Sequence, residues 1–149
     1  MLGGDLTFTS FTQKYKKIED LSGLSDLNLT PNEGFELSQL YDLNELSDHL
    51  KYLVRINVSN NVISKLILKN FNSLHTLIAA SNMISECTLV LPRLQKLILR
   101  CNMLKAMPLF IFTPDLIELD LSKNLISNAL CPKYFKSKAI KFSFCLNLT

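Results

Sequence analysis

A nine-residue frame, L-x-x-L-x-L-x-x-N, recurs along this chain at near-constant spacing, and no other feature restricts the fold so tightly. Its clear copies are Leu53, Ile56, Val58, Asn61; Leu74, Leu77, Ala79, Asn82; Leu94, Leu97, Leu99, Asn102; and Leu116, Leu119, Leu121, Asn124. The first positions step by 21, 20 and 22 residues. Weaker copies flank them, upstream at Leu24, Leu27, Leu29, Asn32 and downstream at Ala139, Phe142, Phe144, Asn147. A helix bundle would place apolar residues at i, i+3, i+4 and i+7. Here the spacings are mixed, and each copy ends in a helix-disfavouring asparagine.

Alternate side chains of an extended strand point to opposite faces. The fourth and sixth positions of the frame are therefore expected inside, and the third, fifth and seventh outside. The asparagine follows the strand, where the chain turns away. Its amide both donates and accepts, so it can satisfy backbone groups that the turn would otherwise bury unpaired. Asn61, Asn82, Asn102 and Asn124 are assigned to such a structural ladder.

This frame and period resemble the leucine-rich repeats, in which one strand per repeat stacks into a curved solenoid. The triplet spacing through Ile18, Leu21, Leu24, Leu27, Leu29 and Asn32, echoed at Leu50, Leu53, Ile56, Val58 and Asn61, resembles the intracellular SDS22-like subclass. The resemblance spans about Ile18 to Asn147. It implies an α/β solenoid: a horseshoe with a parallel concave β-sheet and short helical, 3-10 or irregular convex segments. The long step from Leu24 to Leu53 leaves room for a helix or 3-10 stretch over Phe35 to Leu46. Residues 1–21 read as an N-terminal cap, with a short strand through Leu6, Phe8 and Phe11 and a helical turn over Thr12 to Leu21. Residues 22–149 read as about six repeats, the last truncated. The chain stops inside that repeat with no capping sequence after it, so a longer array or a covering subunit is expected.

Function then falls to the outward positions of the strands. These are Arg55, Asn57, Ser59; Thr76, Ile78, Ala80; Lys96, Ile98, Arg100; and Glu118, Asp120, Ser122. Ile78 and Ile98 share a frame position in neighbouring repeats, so they should touch, with Ala80 completing an apolar patch rimmed by Arg55, Lys96 and Arg100. An apolar centre with a polar rim is the anatomy of a protein interface. Lys96 and Arg100 lie one repeat from Glu118 and Asp120, poised either to pair across strands or to steer an acidic partner.

Catalytic patterns are missing from the sequence. His49 and His75 have no neighbours that would make a metal site or a nucleophile pair, and no C-x-x-C spacing links Cys87, Cys101, Cys131 and Cys145. Reduced, packed thiols are expected, with no cofactor and no metal. Glu118 and Asp120 would sit on an open sheet, not in a cleft that shifts pKa values. A net charge of +3 does not by itself call for nucleic acid, and Lys133, Lys136, Lys138 and Lys141 read as a solvated face. No apolar run reaches the ~18 residues of a membrane span, and the first residues lack the basic and apolar regions of a signal peptide.

The resemblance thus implies a non-catalytic, cytoplasmic protein-interaction module or scaffold, of phosphatase-regulatory or ciliary and cytoskeletal type. It would bind another protein through the concave sheet, with no small-molecule substrate. Two alternatives stay open: an extracellular recognition domain without its signal peptide and caps, or the targeting domain of a larger enzyme. Asn28-Leu29-Thr30, Asn57-Val58-Ser59 and Asn147-Leu148-Thr149 have the form of glycosylation acceptors, which count only in an exported chain; the repeat frame produces such triplets readily, and they are read as chance.

Overall fold

All six copies of the frame become strands of one parallel sheet. The computed structural model describes residues 2–4, 23–30, 35–37, 44, 47–106, 109–126 and 141–143. In chain order the strands are β1 (Leu2–Gly4), β2 (Asp26–Asn28), β3 (Phe35–Leu37), β4 (Arg55–Asn57), β5 (Lys65–Lys69), β6 (Thr76–Ile78), β7 (Glu86–Val90), β8 (Lys96–Ile98), β9 (Leu109–Phe112), β10 (Glu118–Asp120) and β11 (Lys141–Ser143). The six-stranded sheet runs β11-β10-β8-β6-β4-β2. Its register joins Leu27, Ile56, Leu77, Leu97, Leu119 and Phe142, each the fourth residue of its frame. Only same-frame pairing keeps every core side chain on one face, because a one-residue slip would turn them all outward.

A second parallel sheet, β5-β7-β9, runs along the other side of the repeats. This differs from the expected helical, 3-10 or irregular convex segments. The reason is local: Lys65-Leu66-Ile67-Leu68-Lys69 alternates with a period of two and carries strand-favouring residues. Leu66 and Leu68 are fully buried, as is Leu89 of β7, with Cys87 nearly so. These side chains join Ile56, Leu77, Leu97 and Leu119 in one continuous core. The β7–β9 pairing is irregular at Leu89 and Val90, where the step between frames lengthens to 22 residues. Paired parallel sheets with one frame per strand are compatible with a leucine-rich-repeat solenoid.

The segment expected to be helical over Phe35 to Leu46 instead begins as strand β3, which pairs with β1. Asn44 is helical. Its carboxamide reaches β5, where Oδ1 accepts from the Lys69 N–H at 2.9 Å and Nδ2 donates to the Ile67 carbonyl at 2.9 Å. One side chain thus occupies hydrogen-bonding sites that a further strand would use at this edge of the sheet. The expected strand over Leu6 to Phe11, the helical turn over Thr12 to Leu21, Cys131, Cys145, Asn147 and the lysines from 133 to 138 lie outside the described residues.

Each repeat closes through the same two devices. Before the strand, an i→i+3 turn links Leu50 to Leu53, Phe71 to Leu74, Leu91 to Leu94 and Thr113 to Leu116. After it, the eighth frame residue takes a left-handed backbone: Asn60 (φ 61°), Ser81 (55°), Cys101 (56°) and Lys123 (55°). Asparagine tolerates that conformation, but serine, cysteine and lysine are strained there. Ser81→Gly is therefore expected to stabilise the chain by about 0.5–1 kcal/mol, and Ser81→Val to destabilise it by more. The midpoints of urea unfolding measure both.

Candidate functional site: the open face of the six-stranded sheet

The asparagines build the floor on which this face rests. Asn61, Asn82, Asn102 and Asn124 are all buried. Asn102 is representative. Its Nδ2 donates to the Ala79 and Leu99 carbonyls, both at 2.9 Å, and its Oδ1 accepts from the Ile84 N–H at 2.9 Å. Asn82 and Asn124 repeat the pattern, and Asn61 donates to Leu29 and Val58. The Leu99 carbonyl accepts from both Asn102 and Asn124, so its two lone pairs are filled from two successive repeats. The ladder holds each strand end in register with the next and leaves the outward side chains on a common surface.

The third frame positions form a row of charges along that surface. Arg55 Nε lies 3.9 Å from Asp26 Oδ2, and Lys96 Nζ lies 2.9 Å from Glu118 Oε1. Thr76 stands between Arg55 and Lys96 in the register. Exposed pairs of this kind contribute at most about 1 kcal/mol and weaken in salt. Their consequence here is that Lys96, and Arg55 more loosely, are already engaged by carboxylates.

The fifth positions form the second row: Asn57, Ile78, Ile98 and Asp120, all half-buried. Ile78 and Ile98 are direct register partners, placed side by side across β6 and β8. On either side of the pair, Asn57 Oδ1 accepts from the Ser59 N–H at 3.2 Å and Asp120 Oδ1 from the Ser122 N–H at 2.9 Å. These polar side chains fold back on their own backbone and leave the two isoleucines as the apolar centre.

The seventh positions depart from expectation. Ser59 and Ala80 are each only 8% exposed, so neither points into solvent as the alternation rule requires. Both are small and sit where the strand is already turning, and the Ser59 Oγ accepts from the Ala80 N–H at 3.2 Å. Arg100, at the same frame position, is exposed, and Ser122 is half-buried. Among the described residues Arg100 has no ion pair. Lys96 takes Glu118, Asp120 takes a backbone N–H, and Arg100 is left as the uncommitted cation beside the isoleucine pair.

His75 Nδ1 lies 2.7 Å from the Ser73 carbonyl. Burial pushes the Cys87 thiol up to about 12, which keeps it protonated and unreactive at neutral pH. Among the described residues no three histidine, cysteine or acidic side chains come close enough to hold a metal ion. No helix among them is long and apolar enough to cross a membrane.

No protein-family model matches the chain. Over 128 residues, 86% of this chain, it is 30% identical to Toll-like receptor 2 type-1 of Gallus gallus, a leucine-rich-repeat protein. The similarity points to a leucine-rich-repeat relationship. It carries nothing in favour of the SDS22-like subclass. The chain spans 15% of that receptor's length, so the receptor's activity as a whole is not transferred by the match.

Proposed function

We propose that this chain is a non-catalytic recognition segment of leucine-rich-repeat type that binds another protein through the open face of its six-stranded sheet. The observation that carries the reading is the pairing of Ile78 with Ile98 on adjacent strands, with Arg100, which has no ion pair among the described residues, two residues beyond Ile98. Strand-favouring isoleucines could serve the sheet alone. The polar groups drawn back on both sides of them argue instead for a surface kept dry and ready for a partner. The relative's name is that of a receptor, which favours a recognition segment over a phosphatase-regulatory, ciliary or enzyme-targeting role.

Capture by the immobilised chain tests this. Ile78→Ser combined with Ile98→Ser should lose at least about tenfold in affinity for whatever partner the unaltered chain retains. Both side chains are only half-buried, so the variant should keep its melting temperature to within a few degrees. Undiminished capture by a folded double variant would remove the sheet face from the account.

The cellular side is decided separately. An exported chain presents Asn28-Leu29-Thr30, whose asparagine is exposed, to glycosylation, whereas a cytoplasmic one leaves it bare. The mass of the protein purified from its own cells distinguishes the two.

A further inference from the structure

A second surface, separate from the open sheet, runs along the edge where each repeat leaves its asparagine. The residue after each ladder asparagine is apolar: Val62, Met83, Met103 and Leu125. Met83 is 49% exposed, Met103 43% and Leu125 46%, and Val62 is half-buried. They are stacked in register, because the Met83 N–H donates to the Ile63 carbonyl, Met103 to Ile84 and Leu125 to Leu104, at 2.9–3.0 Å. The next residue of each repeat, Ile63, Ile84, Leu104 or Ile126, is buried. The core is therefore complete without the outer row, and packing gives no reason for those side chains to be large and apolar. Scattered exposed apolar residues are ordinary, but an aligned row of them is not.

We propose that this ridge docks an amphipathic helix of a partner protein, with an apolar stripe flanked by carboxylates. Charge is the first reason. The rows bordering the ridge are Asn60, Ser81, Cys101, Lys123 on one side and Ser64, Ser85, Lys105 on the other. Lys105 and Lys123 are both exposed, and neither row contains a carboxylate. An acidic rim on the partner complements them, whereas a second copy of this chain has no carboxylate in these rows to offer them.

Spacing is the second reason. Three steps between parallel strands cover roughly 14 Å. Three turns of helix cover about 16 Å, so one apolar side chain per turn stays near one ridge residue throughout. An extended peptide presents same-face side chains about every 6.8 Å and drifts out of step over the same distance. Methionine at the two central places suits such a surface, because its unbranched chain adapts to the occupant.

The probe is a labelled helical peptide of about 14 residues with leucines along one stripe and glutamates beside it, followed by fluorescence anisotropy. The controls carry lysines in place of glutamates, or the same leucines scattered around the helix. The glutamate peptide alone should bind, and Met83→Ser with Met103→Ser should weaken it about tenfold or more. Lys105→Glu with Lys123→Glu should reverse the preference toward the lysine peptide, which gives a second readout independent of the methionines. Ile78→Ser with Ile98→Ser should leave peptide binding unchanged, so failure here is separable from failure of the sheet reading. The proposal is overturned if no peptide binds or if all three peptides bind alike. It is equally overturned by full affinity in the methionine variant, by tighter binding to phosphatidylglycerol vesicles than to the peptide, or by self-association that the methionine variant abolishes.

Discussion

Asn102→Ala is expected to cost about 3–4 kcal/mol of folding stability, a large share of the total for a chain of this size. Alanine leaves the Ile84 N–H buried with no partner and withdraws one donor each from the Ala79 and Leu99 carbonyls. The carbonyls lose less than the amide, since Leu99 still accepts from Asn124 and Ala79 still accepts a long bond from Asn82. The orphaned N–H costs about 1–3 kcal/mol, and each bond lost elsewhere about 1 kcal/mol. Asn102→Asp should cost more, because it keeps the acceptor but sets a carboxylate against the carbonyls of Ala79, Leu99 and Arg100. Urea unfolding monitored by circular dichroism gives both values. A loss below about 1 kcal/mol for alanine would mean that the ladder adds little to stability.

The other large effect is expected at Phe71. It is 1% exposed and the bulkiest fully buried side chain among the described residues. It lies between β5 and the Phe71–Leu74 turn, so it packs where one repeat ends and the next begins. Phe71→Ala should cost about 3–5 kcal/mol through lost burial and the cavity left behind. Phe71→Leu should cost far less, about 1 kcal/mol, because Leu50 and Leu91 fill the equivalent place in the repeats on either side. Each repeat is held mainly by its neighbours, so the alanine variant should also broaden the unfolding transition. A sharp transition with the same slope would show that the two sides of Phe71 remain coupled.

Much of this architecture was legible in the frame itself. Leu27, Ile56, Leu77, Leu97 and Leu119 recur at one position, and a period-two element can bury them all only if its strands pair in that register. The asparagine, polar and repeated at a turn, signals hydrogen bonding to the backbone, and Asn102 does this in both directions. The second sheet is written in the alternation of Lys65-Leu66-Ile67-Leu68-Lys69, but this stretch lies outside the nine-residue frame, and its partner Glu86–Val90 shares no residue pattern with it beyond that alternation. Alternation alone misplaced Ser59 and Ala80. That rule holds only while the backbone stays extended, and here it is leaving the strand. The Met83 and Met103 ridge was visible as an apolar residue after each asparagine, yet sequence spacing cannot tell a solvent-facing row from a buried one. The ion pair between Lys96 and Glu118 follows from their shared third frame position, which makes them register partners, whereas Arg100 and Asp120 sit at different frame positions.

The most direct test of the central claim is hydroxyl-radical footprinting of the chain alone and with its captured partner. Protection is expected at Ile78, Ile98 and Arg100 on the six-stranded sheet, with Ile67, Thr88 and Val90 on the second sheet unchanged. Protection confined to the second sheet, with Ile78 and Ile98 as reactive in the complex as in the free chain, would contradict it.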